Sequence, residues 1–471
     1  VFSDRSRGRA AALVLMTALA GGCKTTTPPP PAIAPLPPSF EENADWKAAR
    51  PADEAARGAW WAVFNDPQLD ALEARVDVSN QTLKAQQARF AQARAAAAYA
   101  NGGRFPLVTA TPAITVGTQS GNRASATTHQ TARDFVLPVD FSYELDVWGR
   151  VRQSVAAAQA AAQASAADVE AVRLSLHSEL ALDYFELRGL DAEQALLETT
   201  VAAFERALEL TRNRFAGGIA SQADVAQAET QLESTRAQAI DVAARRSALE
   251  HAIAVLVGSA PSGFTLPRAP LTDAPPDIPA GLPSDLLERR PDIAAAERRI
   301  AAASANVGVA NAAFFPRLLL TAGGGFESRS LTSWLTGLST FWTAGPAAAV
   351  TLFDGGRRRA TRAEALAVFD ETVADYQDTI LRSLQDVEDS LAALRVLRQE
   401  ADVQAAAVAA AQRALTLATN RYRGGVANYL EVITAQSAAL ANERAALSVL
   451  TRRMAASVLL IKALGGGWTT P

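Results

Sequence analysis

Two hydrophobic periods alternate along the chain. Phe135, Leu137, Val139, Phe141, Tyr143 and Leu145 alternate with Val136, Pro138, Asp140, Ser142, Glu144 and Asp146. A period of two, apolar on one face and acidic on the other, predicts a strand. Val108, Ala110, Pro112, Ile114 and Val116 alternate in the same way with Thr109, Thr111, Ala113 and Thr115. The second half repeats the pattern more weakly. Leu318, Leu320, Ala322, Gly324 and Phe326 form one face, and Trp342, Ala344, Pro346, Ala348, Val350 and Leu352 another. A second period, of three or four, runs through Leu366, Phe369, Val373, Tyr376, Ile380, Leu384, Val387, Leu391 and Leu394. That is the seam of a coiled-coil-like helix. No proline occurs between Pro138 and Pro261 or between Pro346 and Pro471. Proline costs about 3 kcal/mol inside a helix, so these stretches predict long helices. An arm from Arg357 to Thr419 would measure about 95 Å at ~1.5 Å per residue.

The chain contains one long unit twice. Asn213-Arg214-Phe215-Ala216-Gly217-Gly218-Ile219-Ala220 matches Asn420-Arg421-Tyr422-Arg423-Gly424-Gly425-Val426-Ala427 at an offset of 207. Gly149-Arg150 and Gly356-Arg357 share that offset, and residues 79–106 align without gaps with 289–316 at an offset of 210. Each unit reads helix–strand–strand–long helix–turn–long helix. The helices reverse at the glycine pairs Gly217-Gly218 and Gly424-Gly425, which relax the backbone. The first repeat is expected over 59–258, with strands at about 106–118 and 134–147 and a hairpin over 150–258. A linker covers 259–284. The second repeat covers 285–465, with strands at about 316–327 and 341–353 and a hairpin over 357–465, followed by a tail at 466–471. Gly189, where the second copy has Val396, reads as a site of close helix packing.

The first residues are an address. Arg5, Arg7 and Arg9 precede the apolar stretch from Ala10 to Ala20, and small residues then lead to Cys23, the only cysteine. Eleven apolar residues suit a signal and are too few to span a bilayer. The sequence LAGGC resembles a bacterial lipoprotein box. It implies a signal peptide over 1–22 and a covalent lipid on Cys23. Lys24 at the next position implies sorting to the outer membrane. Residues 23–58 then form the acylated N terminus and a proline-rich tether.

Composition narrows the classes. Of 471 residues, 49% are hydrophobic, but 104 are alanine, so much of that fraction is helix-forming rather than greasy. Lys and Arg number 45 against 49 Asp and Glu, which offers no basic excess for nucleic acid. One cysteine and three scattered histidines supply neither a zinc constellation nor a disulfide framework. No Gly-rich phosphate loop or Cys/His pair suggests an enzyme. After the signal no run of 18 apolar residues occurs.

The strands decide between two settings. A soluble sandwich would cover their apolar face with a second layer, and no helical pattern nearby supplies one. Strands of about ten residues with one apolar and one polar face also fit a transmembrane barrel. Four strands cannot close a barrel, and an open edge in lipid leaves backbone groups unsatisfied. The chain would then have to oligomerise: two copies make a filled eight-stranded barrel, and three make twelve strands with a lumen. Asp140, Glu144 and Asp146 would line that lumen.

Several segments together identify a family. WWAVFNDPQLDAL (60–72), YELDVWGR (143–150), RRPDIAAAE (289–297), TLFDGGR (351–357), NRYRGGVANYLEVITAQ (420–436) and ALGGGW (463–468) resemble the TolC-like outer-membrane efflux proteins of the OprM/NodT lipoprotein branch. The resemblance covers essentially the whole mature chain. It implies a mainly α fold with membrane β structure, in which a homotrimer forms a 12-stranded β-barrel continuous with an α-helical periplasmic barrel. The implied partners are a periplasmic adaptor (membrane fusion) protein, an inner-membrane pump of the RND class and outer-membrane lipid. The implied function is a passive exit duct for small molecules and drugs, lipid-anchored in the outer membrane, with no catalysis and no cofactor beyond the lipid. A duct for protein secretion and a periplasmic coiled-coil scaffold or adaptor are the alternatives.

By the same resemblance, Gly217, Gly218, Gly424 and Gly425 lie at the periplasmic tip, where the adaptor docks and the channel closes. Asp224 and Glu431 are equivalent and begin the returning helices. They are either carboxylates favoured by the helix dipole or an acidic ring at the constriction. Arg214 and Arg421 end the outgoing helices, either complementing the dipole or bridging helices to hold the gate shut. Some family members carry an acid and an arginine one turn further on, where this chain has Thr434 and Ser437. Asp146 and Asp354, beside the Gly-Arg corners, read as caps of the helices that follow. Trp148, Trp334 and Trp342 are interface anchors or plain packing.

Overall fold

The computed structural model describes residues 28, 58–118, 120, 131–272, 274–276, 278 and 289–466. The expected signal peptide, Cys23, nearly all of the tether, most of the loop between the first two strands, the end of the linker and the tail past 466 lie outside the described residues.

After a 3-10 turn, Trp60–Phe64, come helices α1 (Pro67–Ser79) and α2 (Gln81–Gly102), and strands β1 (Leu107–Ala110), β2 (Ala113–Thr118) and β3 (Thr131–Leu145). The hairpin α3 (Arg150–Ala216) and α4 (Gln222–Leu256) follows. The second half supplies α5 (Pro291–Ala312), β4 (Arg317–Ser328), β5 (Thr340–Ala349), α6 (Arg357–Arg423) and α7 (Tyr429–Ala463). Corresponding helices match in length: α2 and α5 have 22 residues, α3 and α6 have 67, and α4 and α7 have 35. No described helix is long and apolar enough to cross a membrane.

The chain divides into two compact units. The first, over 90–165 and 296–376, holds the sheet. All its strands are antiparallel, in the order β1–β3–β4–β5, with β2 continuing along β3. The strand expected over 106–118 is thus two segments. Pro112 has no N–H to donate, and the ladder breaks there. β3 also begins earlier than expected, at Thr131, and β5 stops at Ala349, leaving Val350 and Leu352 outside it.

Register assigns the faces. Val108, Phe141, Ala322 and Ala344 lie opposite one another across the sheet, as do Tyr143, Leu320 and Pro346. The alternate row carries Thr109, Asp140, Gly323 and Thr343. Residues directly opposite point the same way, so one face is apolar and the other polar. Pro138 sits opposite Gly325, where an added Cβ would stand 2.0 Å from the Leu137 carbonyl oxygen. Only glycine admits the close approach of β4 to a strand carrying proline.

Aspartates turn strand into helix. Asp146 lies past the end of β3 and accepts the Val151 and Arg152 backbone N–H groups, each at 2.8 Å. These are among the first donors of α3, which have no partner within the helix. Arg150 donates two hydrogen bonds of 2.7 Å to Glu144. Asp354 accepts from the Gly356 N–H and from the backbone and guanidinium of Arg358. The Arg358 side chain holds the Asp354 carboxyl below the usual carboxylate range. Trp148 stacks on Phe315 and donates to the Pro316 carbonyl at 2.8 Å.

The second unit holds the helical bodies of the two hairpins. In its part of α6, Ile380 and Val387 are buried along the seam, and Val387 packs with Leu460, Ala463 and Leu464. Gly189 lies inside an unbroken α3, where an added Cβ would come within 2.3 Å of the Thr451 hydroxyl. It therefore permits close approach of α3 to α7.

Two buried polar networks fasten other segments. Asp191 accepts from Arg246 at 2.6 Å and from Arg188 at 3.0 Å, and also from the Ala269 N–H. Arg188 donates to the Pro267 carbonyl and Arg246 to that of Leu266. The linker segment 266–271 is thereby bound to α3 and α4. Glu73 of α1 is fully buried, with one oxygen 2.6 Å from His177 Nδ1 and the other without a partner. The Trp61 ring stacks on His177 at 4.5 Å. Asp77 lies 3.4 Å from the other imidazole nitrogen and pairs with Arg173. Burial pushes the Glu73 carboxyl up to about 7, against the lowering effect of His177.

Candidate functional site

Both hairpins reverse in the same way. The Ile219 N–H donates to the Arg214 carbonyl, and that of Gly218 to Phe215. Val426 and Arg421, with Gly425 and Tyr422, repeat these bonds. This is a Schellman closure, whose left-handed residue is Gly218 at φ +74 and Gly425 at φ +76. The glycine pairs are unequal. Only the second of each takes the left-handed backbone, while Cβ atoms on Gly217 and Gly424 would make ordinary contacts.

The returning helices are capped differently. Asp224 closes a capping box: its carboxylate accepts from the Ser221 N–H and hydroxyl, and its own N–H donates to the Ser221 oxygen. Glu431 donates its N–H to Asn428, and its carboxylate lies 3.4 Å from Arg421. Of the two acids, Asp224 is thus engaged locally and Glu431 meets an arginine of the outgoing helix.

The arginines also part company. Arg214 reaches the other hairpin, donating to the Tyr422 carbonyl at 2.9 Å with its guanidinium 4.5 Å above the Tyr422 ring. Tyr422 packs 5.3 Å from Tyr429, and its hydroxyl lies 3.5 Å from that of Thr211. Phe204, Leu208, Ala228, Leu232 and Val432 enclose the two tyrosines. Burial pushes the Tyr429 phenol up to about 12, so it stays protonated and keeps its donor. Around this core Phe215, Ile219, Val426 and Leu430 are exposed.

The sequence reading named the arginines, acids and glycines but missed Tyr422, Tyr429 and Thr211. One signal was present. At the repeated position Phe215 becomes Tyr422, which adds a hydroxyl to an otherwise matching motif. The first is exposed and the second buried. On the sheet, Asp140 and Glu144 lie on the polar face, whereas Asp146 lies beyond it as a helix cap. Among the described residues no group of His, Cys, Asp and Glu has the arrangement of a metal site.

Comparison with known proteins agrees with this architecture. The outer membrane protein OprJ of Pseudomonas aeruginosa is 34% identical over 430 residues, covering 91% of this chain and 87% of its own. The pyoverdine export outer membrane protein OpmQ of the same species is 33% identical, covering 92% and 93%. A crystal structure of a membrane protein from Pseudomonas aeruginosa superposes with a TM-score of 0.85 at 32% identity, covering 94% of this chain and 97% of the other. Residues 65–259 and 282–466 each match the outer membrane efflux protein family. With both halves matched and the fold shared over nearly its full length, this chain belongs to the outer membrane efflux proteins.

Proposed function

We propose that three copies of this chain form the passive exit duct of a tripartite efflux system. In this reading their sheets close a twelve-stranded barrel in the outer membrane, and a periplasmic adaptor and an inner-membrane pump of the RND class complete the assembly. The observation that carries the reading is the sheet. It has one apolar and one polar face, and among the described residues β1, β2 and β5 each have a neighbour on one side only. Such edges are untenable in lipid, and only closure with further copies removes them. The polar face, with Asp140 and Thr343, then borders water. Export is driven by the pump, and the cargo is a class of small molecules that the pump selects.

The hairpin tips supply the gate. Parting them requires Arg214 to leave both the carbonyl and the ring of Tyr422. The variant Arg214→Ala combined with Glu431→Gln is expected to raise the conductance of the purified protein in planar bilayers severalfold. Unchanged conductance removes these contacts from the gate, and a protein that forms no pores at all rejects the duct.

Cys23 carries the lipid anchor in this reading. The variant Cys23→Ser is expected to lose labelling by radioactive palmitate in cells. Retained labelling would place the lipid elsewhere.

A further inference from the structure

The connection between β4 and β5, residues 329–339, is short of charge and rich in leucine. Its sequence is RSLTSWLTGLS, with Arg329 the one charged residue. Two 3-10 turns, Leu331–Ser333 and Gly337–Ser339, shape it. Most of its hydroxyls bond within the loop, while the buried Trp334 indole N–H has no partner. The Ser339 and Thr336 hydroxyls donate to the Ser333 carbonyl at 2.6 and 2.8 Å. The Ser330 and Thr332 hydroxyls meet at 2.8 Å, and the Thr340 hydroxyl donates to the Gly337 carbonyl at 2.8 Å. Backbone bonds from Ser333, Trp334 and Ser339 close the turns. A loop wired internally in this way lowers the cost of leaving water, because fewer of its donors need a solvent partner. Its leucines have the opposite disposition: Leu331 is 64% exposed, Leu335 65% and Leu338 102%.

The side toward which the loop leans is defined by its contacts. Phe135 and Ser328 are register partners, two residues along from the pair Leu137 and Phe326. Both therefore lie on the apolar face. The loop touches both: Trp334 packs on the Phe135 ring at 5.7 Å, and Ser333 meets the Ser328 hydroxyl at 2.7 Å. The loop is thus attached to the apolar face of the sheet, away from the row carrying Asp140. Trp342, 83% exposed, lies on the same face of β5.

We propose that this loop is an interfacial membrane anchor whose Leu331, Leu335 and Leu338 side chains enter the outer-leaflet hydrocarbon at the rim of the sheet. The proposal rests on the barrel reading, in which the apolar face meets lipid. The occupant is lipid because the loop continues that face and has lone Arg329 beside it, suited to an anionic headgroup. Leucines that reach the acyl boundary add affinity in proportion to the apolar area they bury.

The test uses the full chain in vesicles of phosphatidylcholine and phosphatidylglycerol. An environment-sensitive dye is attached to Leu338→Cys, to Leu320→Cys on the apolar face, or to Thr343→Cys on the polar face. The unsubstituted chain, whose one cysteine is Cys23, serves as the blank. Each dye is then challenged with spin-labelled lipid and with aqueous iodide. Dye at 338 and 320 is expected to lose half or more of its emission to spin-labelled lipid, and dye at 343 to respond only to iodide. If 320 is quenched by lipid but 338 by iodide, the anchor is overturned and the barrel stands. Dye at 338 shielded from both quenchers means a protein contact and also overturns the anchor. If 320 escapes lipid quenching, the barrel reading itself falls.

Discussion

Replacing Asp191 with alanine is expected to destabilise the helical body by about 3–5 kcal/mol, the usual cost of stranding a buried charge. Asp191 has a side chain only 1% exposed, and both its oxygens are engaged by arginines that are themselves nearly buried. Its loss leaves Arg188 without a carboxylate partner and Arg246 with Glu250 alone. It also removes the acceptor of the Ala269 N–H. The two arginines hold the carbonyls of Leu266 and Pro267, so the segment 266–271 should come away first. Denaturant unfolding followed by tryptophan fluorescence measures the loss, and limited proteolysis locates it. Adding Arg188→Met to Asp191→Ala should restore part of the stability, because the charge left unpaired is then gone. Equal stability of wild type and Asp191→Ala would mean that the network fastens nothing.

Raising the pH from about 5 to about 8 is expected to loosen α1 from α3, by up to about 3 kcal/mol of local stability. The group responsible is Glu73, whose carboxyl is pushed from 4.5 to about 7 by burial. A raised folded-state value means that the native state holds a proton that the unfolded chain has already released. The stabilisation is therefore complete below about 4.5 and is lost as pH climbs through about 7. Above that range a negative charge is enclosed among Asp70, Asp77 and His177, with one oxygen unpartnered. Hydrogen exchange of the α1 amides, corrected for intrinsic rates, reports the opening. Protection should fall with pH in the wild type and become flat in Glu73→Gln. A slope that persists in the variant would assign the effect to other groups.

The repeat, the long helices and the strand faces were legible because each rests on local periodicity. A seam every three or four residues, a proline-free stretch and a glycine pair sufficed to bound α3 and α6. Alternation alone assigned Phe141 and Asp140 to opposite faces. The break in the first strand was also written locally, in Pro112, but the alternation runs through it and concealed it. At the tip the sequence named Arg214 and Arg421 with two roles open for each. The structure separates them, giving Arg421 to Glu431 and Arg214 to a carbonyl 208 residues away.

By itself, the sequence determined what repeats and what alternates: two hairpins, four strand positions, two reversals and an apolar sheet face. Those properties depend on neighbours within one or two turns, which the order of residues specifies directly. Only the tertiary structure decided that Tyr422 is enclosed while Phe215 stands exposed, and that Asp191 serves two arginines. It likewise decided that Glu73 is buried against His177 and that the β4–β5 loop leans on Phe135. Each of these depends on which distant surfaces meet, and burial, not residue type, then sets the energy of the charge or hydroxyl involved.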